Sequence, residues 1–208
     1  MNGKLRYFYG TMSSSKSATL LMKQHQFNNS GIETILMKPD FDTRDVGVIK
    51  SRAISETKPC LIFSESVNVY NMLENIVNNN QIKGVYDNKS TTDTVVFVDE
   101  IQFATPEQIR QLWLFAKTYK IDVYVFGLKT KASNELFDPV VNLFIYSDSI
   151  EELKSKCQRC KNKATTHLMF VDGEPVREYG ESLQVGDING DVRYESLCQC
   201  CRKNILDK

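Results

Sequence analysis

The sequence predicts an α/β fold in which helices cover both faces of a parallel β-sheet, followed by a small C-terminal unit of different character. Short apolar segments alternate with helical patterns from the N-terminus to about residue 150, and this alternation is typical of parallel sheets. From about Lys154 onward, cysteines, glycines and polar turns replace the apolar segments. We therefore expect two domains, residues 1–153 and residues 154–208.

The predicted strands are short apolar or β-branched segments, as expected for a sheet that is buried on both faces. They lie at residues 5–9, 33–37, 60–63, 94–98, 123–128 and 140–146. Residues 40–57 are polar and have weak periodicity, so we expect mostly loop there. Residues 84–93 are predicted to be a polar connector.

Three segments have helical patterns, at residues 18–27, 67–77 and 105–120. The third has the strongest signal, because Thr105 is a typical N-cap residue and Pro106 suits the first helical position. Each helix follows a predicted strand, which agrees with strands that run parallel.

Composition excludes several classes of function. The chain has 208 residues, 26 basic and 26 acidic side chains, 41% hydrophobic residues and no strongly basic stretch, so a nucleic-acid partner is not expected. No apolar stretch approaches the roughly 18 residues of a membrane span, and the N-terminus has no signal-peptide pattern. We expect a cytoplasmic protein that binds neither membranes nor nucleic acid.

The first predicted strand runs into a near match to the phosphate-binding pattern Gly-x-x-x-x-Gly-Lys-Ser/Thr. The loop consists of Gly10, Thr11, Met12, Ser13, Ser14, Ser15, Lys16 and Ser17. Its N–H groups and the following helix N-terminus would bind phosphates, Lys16 would reach the β- and γ-phosphates, and Ser17 would ligate Mg²⁺. Ser15 stands where the pattern has glycine. The alternative is a polar, serine-rich turn with a solvated Lys16.

A pair of acidic residues, Asp99 and Glu100, directly follows the apolar strand at residues 94–98. In phosphate-loop proteins an Asp at this place holds Mg²⁺, and the adjacent Glu could accept a proton from an attacking hydroxyl. The alternative is a strand that ends in solvated acids. On its own, the nearby Phe103 is more typical of core packing than of base stacking.

Two Cys-x-x-Cys pairs stand 37 residues apart in the C-terminal quarter. They are Cys157 with Cys160 and Cys198 with Cys201. Four thiolates suit one tetrahedral, structural Zn²⁺; a redox pair or free thiols are the alternatives. We expect Cys60 to be a buried small hydrophobe, and His25 and His167 to be surface or packing residues.

Taken together, these segments resemble the zinc-containing thymidine kinases over nearly the whole chain. The matching segments are the phosphate loop, Lys38-Pro39, Asp42-Thr43-Arg44, Ser51-Arg52, residues 98–103, residues 127–130 and both cysteine pairs. The resemblance implies a RecA-like P-loop domain with a parallel sheet, and a small zinc-binding domain with a lasso loop that covers the nucleoside.

The resemblance also implies an activity, the transfer of the ATP γ-phosphoryl group to the 5′-hydroxyl of thymidine. Glu100 matches the catalytic base. The positions implied for ATP are the phosphate loop, Asp42, Thr43, Arg44, Asp99 and Gln102. Those implied for the nucleoside are Met12, Phe103, Thr166, Ser182, Leu183, Gln184, Val185, Gly186 and Tyr194. Homotetramers and feedback inhibition by dTTP are implied as well.

The chain departs from the family pattern at several positions. Besides Ser15, Lys131 and Ala132 stand where relatives have Asp-Phe, and residues 187–191 lengthen the lasso. Because of Ser15 and Ala132, a non-catalytic relative that binds nucleotide remains open from the sequence. A RecA-like ATPase stimulated by nucleic acid is a separate alternative.

Overall fold

The computed structural model describes residues 3–41, 46–51, 53–87, 94–178 and 191–207, without the side chains of residues 80–87. The strands are β1 Leu5–Gly10, β2 Glu33–Pro39, β3 Val48–Ser51, β4 Glu56–Pro59, β5 Leu61–Phe63, β6 Thr94–Val98, β7 Asp122–Leu128, β8 Ser149–Glu152, β9 Thr166–Val171, β10 Glu174–Pro175 and β11 Val192–Leu197. The helices are α1 Lys16–Asn29, α2 Val69–Asp87, α3 Pro106–Tyr119, α4 Asp138–Tyr146 and α5 Gln199–Leu206, with a 3-10 turn at Ile101–Phe103.

Six strands form one sheet in the order β5-β2-β6-β7-β1-β8, and every adjacent pair is parallel. The α/β fold with a parallel sheet is thereby confirmed. All five residues of β6 are buried, because this strand lies inside the sheet between β2 and β7. The carboxyl ends of β1 and β6 consequently lie at the same edge of the sheet, where parallel sheets bind their ligands.

Each face of the sheet has its own apolar core. On one face α1 contributes Leu20 and Leu21, which pack with Phe8, Phe97 and Phe126 of the strands. On the other face the sheet packs against α2, α3 and α4, whose buried side chains include Leu73, Leu112, Phe115 and Leu143. Burial of a side chain of this size contributes roughly 1.5–3 kcal/mol, so these two layers fix the position of the strand ends.

The predicted start of α3 is confirmed in detail. The Thr105 hydroxyl accepts a hydrogen bond from Gln108 N at 3.1 Å, and Gln108 Oε1 accepts one from Thr105 N at 3.0 Å. This reciprocal cap satisfies two N–H groups at the helix start. The Gln108 amide also donates to Ser64 O and Val67 O, which ties α3 to the segment before α2.

Three predictions about local structure are wrong. Residues 140–146 belong to helix α4 rather than to a strand, because Pro139 fits the first turn and Val140 and Leu143 are buried at helical spacing. The expected loop at residues 40–57 contains the antiparallel hairpin β3–β4. The connector expected at residues 84–93 is helical as far as Asp87, since α2 continues through it.

The C-terminal quarter contains a separate antiparallel sheet in the order β10-β9-β11. On one side of this sheet, Leu168, Phe170 and Leu197 pack with Cys157 and Cys198 in a small apolar cluster. The boundary at residue 154 stays a prediction. Among the described residues, no helix is long and apolar enough to cross a membrane.

Candidate active site

The phosphate loop curls between the end of β1 and the start of α1. Ser13 and Ser15 have φ angles of 58° and 61°, a left-handed conformation that costs a non-glycine residue roughly 1–2 kcal/mol. At Gly10 a Cβ atom would lie 2.1 Å from Ser14 Oγ and 2.8 Å from Leu153 O. Only glycine therefore fits at the first position of the loop.

Lys16 is buried, with 8% of its surface exposed. Its ammonium group donates a hydrogen bond to Thr11 O at 2.8 Å, which closes the loop on itself. Burial lowers the pKa of Lys16, and the nearby charges of Glu100 and Asp99 work against that shift. The lysine and the acidic pair, distant in sequence, thus interact in space.

Asp99 links the end of β6 to the start of α1. The Ser17 hydroxyl donates to Asp99 Oδ2 at 2.7 Å, and Glu100 N donates to Asp99 Oδ1 at 3.0 Å. Burial and the charge of Glu100 raise the pKa of Asp99 to about 7, although the hydrogen bonds from Ser17 and Glu100 N and the charge of Lys16 oppose the rise. A hydroxyl and a carboxylate are therefore adjacent beside the phosphate loop.

Gln102 holds the side chain of Glu100. Its amide nitrogen donates to Glu100 Oε2 at 2.5 Å, and its amide oxygen accepts from Leu128 N at 2.9 Å. A Cβ atom at Gly127 would come within 2.5 Å of that amide oxygen. Glu100 itself has a left-handed backbone, with φ of 51°, which turns the chain sharply after β6.

Aromatic rings lie next to the acidic pair. Phe103 is half-buried and stacks on Phe41 with ring centroids 4.6 Å apart, while Phe137 meets it edge-on at 5.9 Å. Flat apolar surfaces of this kind suit the face of a nucleobase. The loop that follows β7 is held by Arg202, whose guanidinium donates to Ala132 O at 2.9 Å.

Strands β9 and β11 present one face toward the phosphate loop. His167 pairs with Ser196 and Met169 with Tyr194, so these four side chains share a face, and the Ser196 hydroxyl donates to Met12 O. Thr166 is fully buried and alternates with His167, which places it on the opposite face, toward the cysteine cluster.

His167 has an unusual environment. The side chain is 3% exposed and lies edge-on to Tyr194 at 6.0 Å. Its Nδ1 atom has no hydrogen-bond partner among the described residues. Burial, Lys16 and Arg202 lower the pKa of His167 to about 4, so the imidazole is neutral near pH 7.

The four predicted metal ligands come together. The sulfur atoms of Cys157, Cys160, Cys198 and Cys201 all lie within 4.8 Å of one another. Burial disfavours a thiolate at Cys157, yet hydrogen bonds from the backbone near Cys198, Arg159 and Cys160 lower its pKa to about 6. Four sulfur atoms at this spacing could hold one metal ion.

A family model described as thymidine kinase matches residues 3–202 of the chain. The chain belongs to the thymidine kinase family. The family suspected from the residues is thus confirmed.

Curated thymidine kinases are similar to the chain over almost its whole length. The thymidine kinases of Enterococcus faecalis and Lactobacillus johnsonii are each 32% identical to this chain, and each alignment covers 94% of it. The alignments cover 92% of the Enterococcus protein and 94% of the Lactobacillus protein. Among solved structures, the genome packaging NTPase of Sulfolobus turreted icosahedral virus 2 is 13% identical over 76% of this chain and 79% of that one, with a TM-score of 0.42. A likeness this weak supports no inference.

The remaining predicted site residues of this thymidine kinase family member fall outside the described residues. They are Asp42, Thr43, Arg44, Ser182, Leu183, Gln184, Val185 and Gly186. Their roles stay predictions. His25 is exposed and His167 is buried, which agrees with the expected surface and packing roles. Cys60 was expected to be buried but is only half-buried.

Sequence reasoning did not place Phe41, Phe137, Ser155 and Ser196 at the site, where Ser155 Oγ lies 2.7 Å from Thr11 Oγ1, and it gave His167 only a surface or packing role. Phe41 and Phe137 lie outside any local motif. His167 and Ser196 could have been found by counting alternate residues from Tyr194, but only with the register of β9 on β11 in hand. That register depends on the fold of the C-terminal unit rather than on a local pattern.

Proposed function

We propose that this chain phosphorylates thymidine at its 5′-hydroxyl with ATP as the phosphoryl donor, yielding dTMP. The observation that carries the proposal is the convergence of Lys16 with Asp99 and Glu100 at one edge of the sheet. Membership of the thymidine kinase family supports the same reaction. Phosphoryl transfer needs a cation beside the phosphates and an acceptor for the proton of the attacking hydroxyl, and these side chains supply both.

The loop at residues 10–17 binds the phosphate groups of ATP. Its N–H groups and the N-terminus of α1 bind the phosphate oxygens, and Lys16 neutralises charge on the group that is transferred. Ser17 Oγ and the Asp99 carboxylate, 2.7 Å apart, are oxygen donors of the kind that Mg²⁺ prefers. They would hold that ion, which supplies charge neutralisation between the β- and γ-phosphates.

On the nucleoside side, Glu100 accepts the proton of the 5′-hydroxyl as the oxygen attacks phosphorus. Gln102 fixes one oxygen of the Glu100 carboxylate, which leaves the other for the hydroxyl. Because the base is held in place before the substrate arrives, little reorganisation is needed during the reaction.

The thymine ring would lie against the aromatic surface formed by Phe103, Phe41 and Phe137, with Tyr194 on the wall opposite. Met12 is half-buried, and its carbonyl oxygen accepts a hydrogen bond from Ser196, which shares a strand face with Tyr194. Residues 182–186 would cover the nucleoside and read its edge through main-chain groups. A site with fixed donors and acceptors rejects a base that lacks their complements.

The metal at the four cysteines would be Zn²⁺, because four thiolates give it a closed tetrahedral site without an open position for chemistry. We also propose a cytoplasmic homotetramer in which dTTP, the end product of the route that dTMP enters, inhibits at the nucleoside site. These assignments follow from the family resemblance.

A nucleoside panel with ATP and Mg²⁺, scored for 5′-monophosphates, tests the proposal. We expect dTMP from thymidine, with deoxyuridine as the most informative competitor. ATP hydrolysis that rises with single-stranded DNA and ignores thymidine would indicate a nucleic-acid-stimulated ATPase instead. Tight ATP binding without transfer to any nucleoside would indicate a non-catalytic relative.

A further inference from the structure

Two serine hydroxyls of the C-terminal unit reach successive residues of the phosphate loop. Ser155 Oγ lies 2.7 Å from Thr11 Oγ1, and Ser196 Oγ donates to Met12 O. Each serine stands two residues before the first cysteine of a Cys-x-x-Cys pair. The loop is therefore connected to both halves of the cysteine cluster.

The position of the Ser196 hydroxyl depends on the first cysteine pair. Gln158, which lies inside that pair, donates from its backbone N to Ser196 O at 2.9 Å, and its side-chain oxygen accepts from Ser196 N at 2.6 Å. Both backbone polar groups of Ser196 are thus fixed by one residue of the opposite half of the cluster. Loss of the metal would release that residue and, with it, the hydroxyl that contacts the loop.

The phosphate loop needs such external contacts because of its own sequence. Ser13 and Ser15 both adopt left-handed backbone conformations, which glycine accepts freely and serine does not. Strained residues of this kind persist only where the surrounding structure imposes them. The contacts at Thr11 and Met12 are placed to impose them, since the Lys16 ammonium ties Thr11 O to the far end of the loop.

We propose that Ser155 and Ser196 are positioning residues that hold the phosphate loop in its ATP-binding conformation and couple nucleotide affinity to the metal at the cysteine cluster. This inference rests on the proposed function, in which the loop at residues 10–17 binds ATP. Coupling between two sites is reciprocal. The metal strengthens nucleotide binding, and bound nucleotide strengthens metal binding by the same factor.

Calorimetric titration with Mg-ADP, which binds without turnover, tests the proposal on the metal-loaded protein. We expect Ser155→Ala and Ser196→Ala each to weaken binding about threefold to tenfold, the range for loss of one hydrogen bond. Ser196→Thr, which keeps the hydroxyl, should bind nearly as the wild type does. The matched control is Ser149→Ala, an exposed serine at the amino end of β8, away from the carboxyl ends of the strands.

A rescue experiment separates positioning from general destabilisation. Ser15→Gly removes the backbone strain at that residue, so in the Ser196→Ala background it should restore most of the lost affinity. Metal content and melting temperature, measured on the same samples, should stay close to those of the wild type. Weak binding together with metal loss and no rescue by glycine would assign Ser196 a purely structural role and overturn the proposal.

The linkage to the metal has its own readout. In an equilibrium competition with a chromogenic chelator, the protein should keep more of its metal when Mg-ADP is bound, and this difference should disappear in the Ser155→Ala, Ser196→Ala double variant. A wild-type protein that does not bind Mg-ADP would refute the proposed function itself. Normal Mg-ADP binding by the wild type and by every serine variant would refute only the coupling.

Discussion

The buried imidazole of His167 makes folding stability depend on pH in a way that can be calculated. An ordinary histidine has a pKa near 6.5, whereas burial, Lys16 and Arg202 lower the pKa of His167 to about 4 in the folded protein. Between these values the unfolded chain binds a proton that the folded chain does not. Stability from this residue is therefore fully present above pH 6.5 and is lost as the pH falls toward 4.

The size of the effect follows from the two pKa values. At 1.36 kcal/mol per unit, the free energy of unfolding should fall by about 2 kcal/mol between pH 8 and pH 5 through this histidine alone. The cysteine cluster and the carboxylates titrate in the same range, so the total loss in the wild type will be larger. A difference between wild type and His167→Gln removes those contributions, because glutamine stays neutral throughout.

Urea unfolding of both proteins at pH 8, 7, 6 and 5 measures that difference. We expect the wild type to lose about 2 kcal/mol more than His167→Gln over this range, with nearly all of the extra loss below pH 7. Metal content should be measured at each pH, so that only loaded protein is compared. Parallel curves for the two proteins would show that His167 is solvated, or that a hydrogen bond keeps its pKa near the ordinary value.

Three further perturbations test the site. Glu100→Gln should lower kcat by about two orders of magnitude without a change in melting temperature, and near-normal turnover would remove Glu100 from the role of base. Gln102→Leu should lower kcat about tenfold because it releases Glu100. It should also lower the free energy of unfolding, measured in urea, by about 1–3 kcal/mol because Leu128 N loses its buried acceptor. Unchanged kinetics would show that Glu100 is held by other contacts. Chelation of the metal should prevent the protein from unfolding in a single cooperative thermal transition, since binding of a structural zinc ion contributes on the order of 10 kcal/mol to folding. An unchanged melting curve would show that the cysteine cluster folds without metal.

Local patterns predicted the parts of the molecule whose causes are local. The strand at residues 94–98 consists of β-branched and aromatic residues, and its bounds agree with β6. The start of α3 was predicted from Thr105 and Pro106, whose side chains act on the adjacent backbone. The phosphate loop and the cysteine pairs were likewise recognisable, because their chemistry fixes the spacing of a few neighbouring residues.

The failures occurred where several structures suit the same short segment. Residues 140–146 form an apolar run that is too short for periodicity to separate a strand from a helix, and the two residues before Val140 decide in favour of the helix. Strand β4 consists of Glu56, Thr57, Lys58 and Pro59, which carries no apolar alternation. It is stabilised by pairing with β3, a contact that the residues of β4 alone do not predict.

The supporting contacts of the site could not be predicted because they join distant segments. Gln102 connects the end of β6 to the end of β7. The family pattern at residues 98–103 includes Gln102 and Phe103 but gives no indication of that connection. Ser196 reaches Met12 only because β11 lies across the phosphate loop. Motifs identify the residues that carry the chemistry, whereas sheet order and register decide which residues hold them in place.

Part of the backbone strain of the chain lies at the site. Of the seven described non-glycine residues with left-handed backbones, four lie elsewhere in the chain, and Ser13, Ser15 and Glu100 lie at the carboxyl ends of β1 and β6. At roughly 1–2 kcal/mol each, they are an appreciable fraction of the roughly 5–15 kcal/mol by which a typical domain is stable. Selection for stability alone would favour glycine at these positions in the loop. Ser13 follows Met12, which the Ser196 hydroxyl contacts. Glu100 is held by Gln102, while Ser15 directly precedes Lys16. Fixed backbone of this kind suits a site that is arranged around a phosphoryl group before it binds.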